Sequence, residues 1–141
     1  MCDWTEVVER VVALAAAKQL VAVASASRVL IAETLPECSE RLDVQLLDDR
    51  VVLRFGYSVT AHIPVADDED RGRVPGIVSS ILDGKAKESY VVALNGVIQP
   101  VGWAIDASSV GVEYTQSMVV DHTSMGANVR TRSVDWRSQR M

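Results

Sequence analysis

Arg41-Leu42-Asp43-Val44-Gln45-Leu46-Leu47-Asp48-Asp49-Arg50-Val51-Val52-Leu53-Arg54-Phe55 is the stretch whose reading decides the fold. Two runs rich in Val and Leu flank the acidic pair Asp48-Asp49, the pattern of strand, polar two-residue turn, strand. Gly56 permits a bulge or tight turn next, and Ser58 to Pro64 reads as a third strand, so the whole predicts an antiparallel meander.

Upstream, Asp3 and Glu6 have capping-box spacing, and Trp4, Val7, Val8, Val11, Leu14 and Ala15 recur at helical intervals. They predict an amphipathic helix over 4–18. Residues 20–33 admit two readings, a continuation of that helix or a hairpin with Val21-Ala22-Val23 and Val29-Leu30-Ile31 on either side of Ser25-Ala26-Ser27. Pro36 ends whichever forms. Downstream, Ala66 to Arg73 reads as an acidic loop around Asp67-Asp68-Glu69-Asp70. A helix follows, with Pro75 in its first turn, a buried stripe of Ile77, Val78, Ile81 and Leu82, and Gly84 closing it. The second half repeats the scheme with Tyr90 to Leu94, an Asn95-Gly96 hairpin signal, Val97 to Ile105 and Val110 to Thr115. Only the element order repeats, since the two halves share no residue-level similarity.

The expected fold is therefore α+β, two helices packed on a mostly antiparallel sheet in the order α-βββ-α-βββ. Residues 1–116 form the expected single domain. Residues 117–141, rich in Ser, Thr and Arg, read as an irregular basic tail with at most a short strand or helix around Val129 to Trp136. Val51 to Leu53 and Tyr90 to Leu94 are apolar on both faces, which implies that the tail or another subunit covers the second face.

At 141 residues and 48% apolar content the chain can bury one core. No apolar run reaches the roughly 18 to 20 residues that crossing a bilayer needs. The opening Met1-Cys2-Asp3-Trp4-Thr5-Glu6 lacks the basic start of a signal peptide. Cys2 and Cys38 have neither zinc nor C-x-x-C spacing and read as reduced thiols. A cytoplasmic location without a membrane partner is the expectation. The net charge is −5, and it is uneven. Residues 1–116 hold seventeen Asp and Glu against ten Lys and Arg, a balance of −7, whereas 117–141 has four Arg against two Asp, a balance of +2. An acidic body disfavours nucleic acid, because binding phosphates requires a basic face that releases counterions.

Chemical motifs are sparse. His62 and His122 stand in no metal-binding spacing, so no metal and no cofactor is expected. The acidic run 67–70 resembles the start of a calcium loop, but Val78 stands where the closing Glu belongs. Gly72-Arg73-Val74-Pro75-Gly76 is neither a Walker loop nor a dinucleotide fingerprint. The Ser pairs 79–80 and 108–109 have no neighbouring base. An aromatic platform beside a carboxylate is a common ligand-binding pair. Trp103 and Asp106, with His62 and Glu113 across the meanders, are thus the candidate lining of a small-molecule pocket. A packed core position is the simpler reading of Trp103, and a hydrogen-bonded sheet-edge position that of His62. In the tail, Trp136 among Arg130, Arg132 and Arg137 has the composition of an interaction hot spot, against the plainer reading of a solvated or self-docked tail.

Residues 41–55, with a helix on either side, resemble the central hairpin of the pterin-4a-carbinolamine dehydratases. The resemblance implies a pterin lyase with a His-His-Pro before the hairpin and another His after its second strand. Cys38-Ser39-Glu40 and Gly56-Tyr57-Ser58 occupy those places here, so no catalytic histidine carries over. The preferred expectation is a non-catalytic protein-binding domain (inhibitor, immunity or chaperone-like) that engages a protein partner or a second copy through a sheet face and the tail. The alternative is a small-molecule binder or metal-independent lyase.

Overall fold

The computed structural model describes residues 4–32, 41–56, 59–92, 95–96, 98–108, 111–117 and 130–133. Helix α1 spans Trp4–Ala17 and buries Val7, Val11 and Ala15 at helical spacing. Its last turn closes by Leu20 N–H donating to the Ala15 carbonyl and Gln19 N–H to that of Ala16, with Gln19 at φ +61. This Schellman closure turns the chain back into a strand, so residues 20–32 take the hairpin reading. Strands β1 (Val21–Ala24) and β2 (Arg28–Ala32) pair antiparallel. The meander follows as β3 (Arg41–Leu46), β4 (Arg50–Phe55) and β5 (Val59–Pro64), and the five strands form one sheet in chain order.

Helix α2 spans Asp68–Leu82, earlier than the sequence suggests. The acidic run is its first turn rather than a loop. Asp67 is the N-cap, accepting from Asp70 N–H at 2.9 Å, while the Asp70 carboxylate accepts from Ala66 N–H at 2.8 Å. Carboxylates at this end complement the helix dipole. Pro75 consequently lies about two turns inside the helix. Asp83, Gly84 and Lys85 close α2 by a second Schellman arrangement, with Gly84 at φ +80 as expected of a left-handed cap.

Strands β6 (Ala86–Val92), β7 (Ile98–Ala107), β8 (Val112–Ser117) and β9 (Arg130–Ser133) form a second antiparallel sheet in the order β8-β7-β6-β9. The α+β class and the helix-meander order are thus found, with the strands divided between two sheets. The β1–β2 hairpin precedes the first meander and β9 follows the second. β9 falls where the sequence allowed a short tail strand, and it pairs with β6. Trp136, Arg137 and both cysteines lie outside the described residues.

One core joins both sheets and both helices. Helix α1 packs on β1, β2 and α2, α2 packs on β7, and the sheets adjoin where β5 meets β7. The inward rows Leu42, Val44 and Leu46, Val51, Leu53 and Phe55, and Val59, Ala61 and Ile63 follow the period of two that strands impose. From the second sheet come Ala86, Ile105 and Ala107. Helices on the inner side leave the opposite side of the five-stranded sheet uncovered by any described element.

Candidate functional site

Strand alternation and register define that outer face. One row across it reads Val23, Leu30, Asp43, Arg54, Thr60, and the next reads Arg28, Gln45, Val52, His62. Val21, Ala32 and Arg41 lie beyond the first row, and Arg50 with Pro64 beyond the second. Among the described residues, four guanidinium groups (Arg28, Arg41, Arg50, Arg54) thus share the strand positions of this face with one carboxylate, Asp43, a balance of +3 at those positions on a chain of −5.

Asp43 organises the centre. It is 9% exposed and accepts from Arg28 at 2.8 Å through Nε and at 2.6 Å through Nη2, a two-pronged pair. This hydrogen bond, with the charge of Asp43, raises the Arg28 pKa further above its ordinary value. Arg54 Nη1 approaches the same carboxylate at 3.9 Å. One carboxylate facing two guanidiniums leaves a surplus cation, and Arg28 and Arg54 both stay more than half exposed. At the rim, Arg50 stands 3.5 Å from Asp49. Val52 is buried although it points outward; Gln45 and His62 flank it in its row.

The four residues that the sequence offers for a pocket lie on three strands, β5, β7 and β8. His62 is exposed on the outer side of edge strand β5, one position from buried Ala61 and Ile63. Trp103 packs against the core from β7. Asp106, three positions on along the same strand, is exposed on the opposite face. Asp106 also has a structural task, since its Oδ1 accepts from Ser108 N–H at 3.1 Å in the turn after β7. The Ser108 hydrogen bonds, aided by the charge of Lys85 and opposed by a little desolvation, lower its pKa. Glu113 is the register partner of Asp106 on β8. Among the described residues, no three His, Cys, Asp or Glu side chains come together as a metal-binding set.

Of the tail residues, Arg130 is exposed on β9, across from Tyr90. Arg132 is committed within the molecule, as its Nε donates to Glu88 Oε1 in a close ion pair. Glu88, only 2% exposed, is the charged residue that the sequence does not single out. Its register neighbours are Trp103 and Arg132, and Gly56 at the end of β4 lies against its carboxylate. The ion pair therefore fastens β9 at the seam between the sheets, which is the self-docked reading of this part of the tail.

Compared with known protein families, curated proteins and solved structures, the chain matches none. The dehydratase resemblance stays a likeness of one hairpin.

Proposed function

We propose that this protein is a non-catalytic binding domain, of the kind that inhibits, neutralises or chaperones another protein, and that it takes an acidic protein segment on the outer face of its five-stranded sheet. The observation that carries this reading is the sign of the face: a surplus of guanidinium groups on an acidic molecule. Guanidinium forks match carboxylates bidentately, and the Arg28–Asp43 pair already displays that geometry. The apolar residues Val23 and Leu30 at one end supply the dry contact that charge pairs alone lack, since exposed pairs are worth only about 0.2–1 kcal/mol each. The acidic flanks repel partners that do not meet the face, which favours orientation as well as affinity. Of the arginines on β9, Arg130 belongs to the second sheet and is left out of the proposed site, and Arg132 is spent on Glu88.

The test compares affinity capture by the wild-type chain and by the double variant Arg41→Glu, Arg50→Glu, which leaves the Arg28–Asp43–Arg54 cluster intact. The expected result is a partner retained at low salt by the wild type and bound about tenfold or more weakly by the variant, with unchanged melting behaviour. Equal capture by both proteins would refute the assignment of the face. The placement of Trp103 and Asp106 on opposite sides of β7 supports this reading over the pocket alternative.

A further inference from the structure

Val21, at 48% exposed, and Val23, at 66%, are the exposed large hydrophobic residues among those described. Both stand on β1, an edge strand. Proteins guard such edges with Lys, Pro, bulges or inward charges. Two of the other three edges carry a proline or charges, with Pro64 on β5 and Arg130 and Arg132 on β9. β1 reads Val-Ala-Val-Ala, pairs with β2 without a register shift, and has no such device.

The hydrogen-bonding direction of β1 follows from its turn. Ser25 N–H donates to the Arg28 carbonyl at 2.8 Å, so Ser25 and Arg28 are a hydrogen-bonded pair. In an antiparallel ladder such pairs alternate, so Val23 and Val21 bond to β2 while Ala22 and Ala24 direct their backbone groups along the open edge. The surroundings are neutral. From Val11 to Ser27 the single charged residue is Lys18, whose ammonium is bound by Asp83. That segment spans the second half of α1, where Ala13, Ala16 and Ala17 are exposed, and all of β1. Two copies of a molecule of −5 can approach most cheaply where neither carries net charge.

From these observations we infer that β1 pairs antiparallel with β1 of a second copy. The twofold axis runs midway between the two Val23 residues, perpendicular to the sheet. In this register Ala22 faces Ala24 of the other copy and the reverse, giving four backbone hydrogen bonds. Val23 faces Val23 at the non-bonded position, where side chains are closest. Paired residues keep the same face, so two five-stranded sheets become one of ten strands, both α1 helices lie on its inner side, and the contact is isologous and closes. A four-residue strand and a helix end make a small interface, so the dimer forms with rising concentration rather than being obligate. This inference shares Val23 with the end of the proposed partner site but uses none of its arginines, and it is read on the free protein, where that partner is absent.

The test uses the full chain. Light scattering after size exclusion is expected to show the mass rising with concentration from 15.3 kDa toward twice that value, and Val23→Lys, at an exposed position, is expected to hold it at the monomer. In a Cys2→Ser, Cys38→Ser background, Val23→Cys is expected to form an intermolecular disulfide under mild oxidation, because facing Cα atoms at a non-bonded pair lie within disulfide reach. Val21→Cys, which faces Ser25 in this register, is expected not to. A monomer at every concentration, a dimer that survives Val23→Lys, or equal crosslinking from positions 21 and 23 would each overturn the proposal.

Discussion

A methyl group at position 56 would sit 2.7 Å from the Glu88 Cδ, on a backbone at φ +66. Gly56→Ala therefore carries two penalties, about 1–2 kcal/mol for the left-handed conformation and a further cost for pushing the buried carboxylate off Arg132. Urea unfolding is expected to show a loss larger than the backbone cost alone. The contrasting change, Gly72→Ala within α2, meets nothing within 4 Å and should stabilise by up to about 1 kcal/mol. Asp106 gives a residue-level pH effect. Its pKa in the fold is held below the ordinary 3.8, so its contribution is present above that value and is lost as pH falls through the lower folded pKa. Asp106→Asn is expected to lower the melting temperature at neutral pH, with the difference from wild type disappearing in acid. A difference that persists at pH values below the folded pKa would count against the Ser108 turn as its origin.

Among the elements, β9 adds to its ladder on β6 and to the Ser89–Thr131 hydroxyl pair at 3.1 Å an ion pair with a buried charge. Glu88→Ala leaves Arg132, 22% exposed in its side chain, facing an empty site, and breaking such a pair costs about 3 kcal/mol. The expected signature is accelerated amide exchange over Thr131 to Ser133 along with lower stability. The double change Glu88→Met, Arg132→Met should recover most of the loss, because apolar replacement removes both desolvation penalties. Legibility varied by element for physical reasons. The β3–β4 hairpin was readable because its turn and both alternating strands are local in sequence. Helix α2 begins earlier than its sequence suggests because Pro75 is a start signal in its own right, while the reciprocal Asp67 and Asp70 caps, which fix the true beginning, resemble a solvated loop. Residues 20–33 stayed open because Ala and Val suit either structure; the Gln19 reversal that decides for the hairpin uses a non-glycine at positive φ. Glu88 sits in Lys87-Glu88-Ser89, a polar run like any exposed strand, and its burial depends on an arginine 44 positions away.

On the scale of the whole molecule, charge and topology act together. The sequence reads as an acidic body with a basic tail, and its local pattern points to Trp103, Asp106, His62 and Glu113, of which alternation places Trp103 and Asp106 on opposite faces of β7. The basic face was illegible because Arg28, Arg41, Arg50 and Arg54 are spaced across three strands, and only the pairings of β2, β3 and β4 bring them together. None of the described helices is long and apolar enough to cross a membrane. The outer sheet face is thus where the proposed binding should leave its mark. The most direct measurement is arginine-selective labelling of the free protein and of its captured complex, read by mass spectrometry. Arg41, Arg50 and Arg54 should lose reactivity on binding while Arg10 and Arg130 keep theirs. Protection of Arg10 or Arg130 with the sheet arginines still reactive would contradict the account.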